Sequence, residues 1–137
     1  MTQMKQGLLG GLTPGQQAPS LAFVVFMQKP PGVRDAHLFF NNVKRAFRGS
    51  RSDLADLLVT FVRQLTKDGD MASAQTLINL ALKEQETEPA LREALRLAVT
   101  MQNFETGVKL AKQLVRWVDT AENNSDLAYC LYRCERL

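Results

Sequence analysis

Histidine occurs once, tryptophan once and cysteine twice in 137 residues, and each scarcity closes off some chemistry. With His37 as the single imidazole, no Ser/His/Asp or Cys/His arrangement for nucleophilic catalysis can be assembled with support. Structural zinc takes about four Cys/His ligands, and His37, Cys130 and Cys134 are the whole supply. Neither a metal nor another cofactor is therefore expected. Cys130 and Cys134 stand four residues apart, on one face of a helix, where a disulfide would have awkward geometry; they read as reduced core positions. The lack of a disulfide pattern points to a cytoplasmic home. Long apolar runs are also missing. The longest, Leu21 to Met27, has seven residues, against about 20 for a membrane-crossing helix, so no membrane partner is expected. No glycine-rich phosphate loop follows a strand, no paired-carboxylate site is recognisable, and Trp117 reads as the edge of a core. These gaps together predict a protein that is not an enzyme.

What remains is an ordinary globular composition, 45% hydrophobic and 23% charged, in a length that suits one domain. The net charge of +3 is unevenly spread. Residues 1–67 hold nine Lys/Arg against three acids, and residues 68–137 hold eight against eleven, so a +6 half is joined to a −3 half. Such asymmetry bears on partners rather than on fold. It describes either a solvated basic face or a surface that steers an acidic ligand.

Residues 1–33 read as a flexible or extended N-terminal arm ahead of a helical domain over 34–137. Gly7, Gly10, Gly11, Pro14, Gly15 and Pro19 interrupt any periodicity. The same interruptions spoil a signal peptide after Lys5. Within the arm, the β-branched and aromatic run 21–27 predicts a short strand or extended segment. It would either pack on the chain's own helices or add to a second copy, with Leu21, Phe23, Val25 and Phe26 as the self-association surface. From Arg34 onward the periodicity is helical and delimits six segments. Asp35 caps the first, with Leu38, Val43 and Phe47 turned inward. Ser52 caps the second, which stops at Asp68-Gly69, and Asp70 caps the third. Thr87, ahead of Glu88 and Pro89, starts the fourth. The fifth follows Gln102-Asn103, breaks at Asn123-Asn124, and Ser125 caps the sixth. Short connections make successive helices antiparallel, and the fold class is all-α.

Sliding the chain against itself by 33 residues puts Leu58 on Leu91, Val62 on Leu95, Leu65 on Ala98, Met71 on Phe104, Ala74 on Gly107 and Ile78 on Ala111. A second step puts Ala94 on Leu127 and Ala98 on Leu131. Such a unit is one helical hairpin, which buries its apolar face only by stacking on its neighbours. Over roughly residues 55–134, this period, the break at Asp68-Gly69, Phe104 opening a second helix and the small Ala74 and Gly107 resemble the tetratricopeptide repeat family. Val62 and Leu95 depart from its preference for small residues, and its early tryptophan and later proline are absent. A regular hairpin solenoid and an irregular helical bundle both fit.

The resemblance implies a concave groove lined by the first helix of each hairpin. Carried onto this sequence, the groove residues are Asp56, Val59, Arg63, Thr66 and Lys67, then Arg92, Arg96, Val99 and Thr100, then Tyr129, Tyr132 and Arg133. Guanidinium forks and tyrosines suit an acidic protein segment or a free carboxylate. Alternatively, Arg92 and Arg96 merely pair with Glu88 and Glu93. A second basic feature, Lys44, Arg45, Arg48 and Arg51, has the density to grip phosphates. The sequence thus predicts a non-enzymatic interaction module, an adaptor or chaperone, with nucleic-acid binding at residues 44–51 as the alternative.

Overall fold

The computed structural model describes residues 14–135, so the expectations for residues 1–13 lie outside the described residues. Among the described residues seven α-helices follow one another: α1 (Pro14–Met27), α2 (Ala36–Ala46), α3 (Arg51–Lys67), α4 (Met71–Glu84), α5 (Glu88–Thr100), α6 (Phe104–Trp117) and α7 (Ala121–Glu135). A single 3-10 turn, Pro31–Val33, lies between α1 and α2. Successive helices pack in pairs, and α3 also packs on α5, α2 on α4, and α4 on α5. The all-α class and the six helices from residue 34 onward are as the periodicity implies.

The run 21–27 is not a strand; it completes α1. Strand-forming residue types yielded here to tertiary packing, because a helix spaces Phe23 and Phe26 onto one stripe. Both are buried, with Phe23 stacked on Phe61 (centroids 4.4 Å) and Phe26 on Phe39 (4.5 Å). Half of the anticipated self-association surface is therefore committed to the chain's own core, and only Leu21 and Val25 remain exposed. Pro19, buried inside α1, is tolerated at the expense of one helical hydrogen bond. Leu38, expected inward, faces solvent, while its neighbours Phe39 and Phe40 are buried.

Caps fix the remaining boundaries. The side chains of Asp35, Asp70, Thr87 and Asn103 each accept an N–H three residues on. Two expectations move: Ser50, not Ser52, caps α3. Thr120, not Ser125, starts α7, its hydroxyl accepting the N–H of Asn123 at 3.1 Å. Asn123 breaks nothing. It is buried in the first turn of α7 and donates its amide to the carbonyl of Val118 at 2.7 Å.

The 33-residue offset is reproduced in backbone geometry. Asp70 and Asn103 adopt φ/ψ of −87/75 and −90/74, and their N–H groups donate to Leu65 O (2.9 Å) and Ala98 O (2.8 Å). The residue before each has positive φ, +84° at Gly69 and +58° at Gln102. Glycine meets that requirement freely, whereas a residue with a Cβ is strained there by about 1 kcal/mol. Replacing Gln102 with Gly should therefore raise stability by about that amount, and Gly69→Ala should lower it similarly. No atom outside the immediate chain lies within 4 Å of a Cβ at residue 69, so that cost is of the backbone alone. Paired thermal melts with opposite shifts in Tm check both.

One turn carries more than a cap. Asp70 Oδ1 accepts the Ser73 N–H at 3.2 Å while its Oδ2 receives Arg34 Nη1 at 3.0 Å, and the same Nη1 lies 2.8 Å from Asp68. The remaining guanidinium nitrogens donate to the carbonyls of Lys29 (2.8 Å) and Met27 (2.9 Å), closing the C-terminus of α1. Both charged side chains are buried, Arg34 4% and Asp70 3% exposed. Burial acts to raise the Asp70 carboxyl, but its bonds from Ser73 and Arg34 outweigh it and hold the carboxyl below its ordinary value. A carboxyl lowered on folding stabilises above its unfolded-state value, about 3.9, and loses that contribution as pH falls through its folded value. Asp70→Asn, which keeps the cap, should cost about 3 kcal/mol at neutral pH. The deficit should shrink below about pH 4, which Tm measured against pH for both proteins checks.

Candidate functional site

The first helices of the last hairpins, α5 and α7, both lean on α6, and a cleft of about 430 Å³ opens between them. Helical spacing arranges its walls. Arg92, Arg96, Val99 and Thr100 project from α5, and Glu122, Asp126 and Tyr129 from α7. Leu95 and Cys130, both buried, form the floor. Gly107 of α6 keeps α7 close beneath: a Cβ there would sit 3.0 Å from Cys130 Sγ. Burial first, then the negative field of Asp126 and the neighbouring Cys134, pushes the Cys130 thiol up, so the floor is neutral at physiological pH.

The anticipated groove residues divide. Arg92, Arg96 and Tyr129 meet in the cleft. Arg63 joins them through Glu93, a carboxylate only 3% exposed, whose Oε1 accepts from Arg63 Nε at 2.9 Å and Arg96 Nη1 at 3.2 Å. The alternative pairing for the arginines is thus also present: Arg92 donates to Glu88 at 2.9 Å and reaches Glu122 across the cleft at 3.5 Å. Its guanidinium is held above its ordinary value by the Glu88 bond, against the effect of burial and helped by Glu122 and Asp126. Arg133 stays outside the cleft. It lies over the Phe104 ring at 4.4 Å and donates to the Tyr129 hydroxyl at 2.8 Å, orienting that tyrosine. Lys67 and Tyr132 are exposed elsewhere on their helices. Val59 is buried in the core, and Asp56 accepts from the Thr87 hydroxyl at 3.1 Å rather than facing a groove.

Sequence reasoning missed the acidic wall. Glu122, Asp126 and Tyr129 follow one another at helical spacing, but a start at Ser125 left Glu122 off the helix and hid the stripe.

The basic cluster is partly neutralised. Glu84, 10% exposed, sits 3.0 Å from Lys44 Nζ and 3.7 Å from Arg51 Nε. Arg45 and Arg48 are left exposed without an ion-pair partner among the described residues. Among the described residues, no group of three or more His, Cys, Asp or Glu side chains is placed to hold a metal ion, and no helix is long and apolar enough to cross a membrane.

Because Glu93 tethers two half-exposed guanidinium groups, Glu93→Gln should lower stability by about 1–2 kcal/mol. Thermal melts monitored by circular dichroism measure that loss, and an unchanged Tm would contradict the tether. No family model, curated protein or solved structure matches this chain.

Proposed function

We propose that this protein is a non-enzymatic interaction module, an adaptor or chaperone of tetratricopeptide-like build, that takes a segment of another protein into the α5–α7 cleft. The observation that carries this reading is the cleft itself. An apolar floor lies between arginines on one wall and a ring-oriented tyrosine on the other, at the junction of two repeated helices. Fixed charges, an amphipathic ring and a small apolar depression are the elements of recognition. The only thiol lining the cleft is held protonated, which suits binding rather than nucleophilic attack. A cytoplasmic location accords with the two free cysteines. Nucleic-acid binding at residues 44–51 has less support, because Glu84 already engages Lys44 and Arg51.

The test is a selection of random peptides on the folded protein. Peptides should be enriched, and the double substitution Arg63→Glu, Arg96→Glu should weaken their binding by about tenfold or more. Anisotropy titrations measure it, and undiminished affinity would move the site elsewhere.

A further inference from the structure

Within the proposed cleft the two walls carry opposite charge, and the repeat explains why one carboxylate, although its field reaches Arg92, makes no hydrogen bond or ion pair among the described residues. A shift of 33 residues carries Glu93 onto Asp126. Glu93 is satisfied twice, by Arg63 from the preceding repeat, thirty residues back, and by Arg96 three residues ahead. The corresponding neighbours of Asp126 are Arg96 and Tyr129. Arg96 is already drawn to Glu93, and Tyr129 has no cation to offer. Asp126 therefore lines the cleft with no hydrogen bond or ion pair among the described residues.

On the α5 side the balance is reversed: Arg96 lines the cleft, and Arg63, outside the lining, shares Glu93 with it. Arg63 and Arg96, with side chains 52% and 60% exposed, each use one nitrogen on Glu93. A guanidinium has five N–H donors in a planar fork, so both retain capacity for a carboxylate. Between these poles lies the Leu95 and Cys130 floor, edged by Val99.

We infer that the occupant of this cleft is an amphipathic helix of another protein whose apolar stripe is bordered by acids on one flank and bases on the other. The inference rests on the cleft being the binding site. Its acids face Arg96 and Arg63, its bases face Asp126, and its apolar residues cover Leu95 and Cys130. A groove between two helices receives a third by the interdigitation of side-chain ridges. Charge complementarity fixes its register: a segment acidic on both flanks would set a carboxylate against Asp126, and a segment basic on both would set a cation against Arg96. The acidic ligand suggested by the arginines is thus acidic on one side only.

The experiment selects random peptides about 14 residues long, roughly four helical turns, on the wild-type protein and on two single variants, Asp126→Lys and Arg96→Glu. Both positions lie on the surface of the cleft, and circular dichroism confirms that each variant is folded. Wild type should enrich peptides with both signs flanking an apolar stripe. Asp126→Lys should enrich peptides acidic on both flanks, Arg96→Glu peptides basic on both, and each should bind wild-type-selected peptides about tenfold more weakly. Enrichment of single-sign or uncharged peptides by wild type, with affinity still sensitive to Arg96→Glu, overturns the inference and leaves the cleft as the site. Binding indifferent to both substitutions, or no enrichment, overturns both. Self-association in light scattering that Arg96→Glu abolishes would give the cleft to a second copy and overturn the inference as well.

Discussion

The carboxylate of Asp70 ties the N-terminal helical pair to the helices that follow. One oxygen starts α4 and the other fixes Arg34, whose remaining donors terminate α1. The first helical pair is latched onto the first turn of the repeated region through a single buried guanidinium. At the equivalent turn Asn103 makes the same cap with a neutral side chain. The charge at position 70 therefore serves the latch and not the turn. A buried ion pair is tolerable only when its donors and acceptors are otherwise satisfied, and here the helix-terminal carbonyls supply that satisfaction. The aromatic stack of Phe23, Phe26, Phe39 and Phe61 then has a fixed frame to fill.

The same repeat is closed at one junction and open at the next. Between α3 and α5 the helices touch, and Glu93 draws together an arginine from each. Between α5 and α7, which both pack on α6, a cleft opens, and Arg92 reaches Glu122 across it at 3.5 Å. A solenoid with uniform junctions would offer a continuous surface. Here the α5–α7 junction differs from the α3–α5 junction: it opens a cleft with a buried Leu95 and Cys130 floor, lined by Arg96 and Asp126.

Much of the frame was legible because it is local. Asp35, Asp70, Thr87 and Asn103 announce helix starts by chemistry that needs no tertiary partner. The 33-residue period is legible for the same reason: both helix ends turn on the same backbone geometry. What the sequence concealed depends on distance. The run 21–27 has strand-like composition, and its helical form is rewarded by rings remote in sequence, Phe61 under Phe23 and Phe39 under Phe26. The choice of Ser50 over Ser52, and of Thr120 over Ser125, was hidden by competing cap residues nearby. The basic wall of the cleft was found by carrying a repeat pattern forward. The acidic wall was lost through the displaced start of α7, and Glu93 counted only as a neutralising neighbour until α3 was placed beside α5.

The pattern of helix contacts also bears on how the chain reaches this shape. Every principal contact joins helices that are adjacent or next but one along the chain. Folding therefore closes only short loops, which favours rapid collapse hairpin by hairpin rather than a search for distant pairings. The converse holds for unfolding. The last helix rests chiefly on α6, so it can peel away while the Asp70–Arg34 end stays intact, and the cleft is erased before the rest of the molecule has melted.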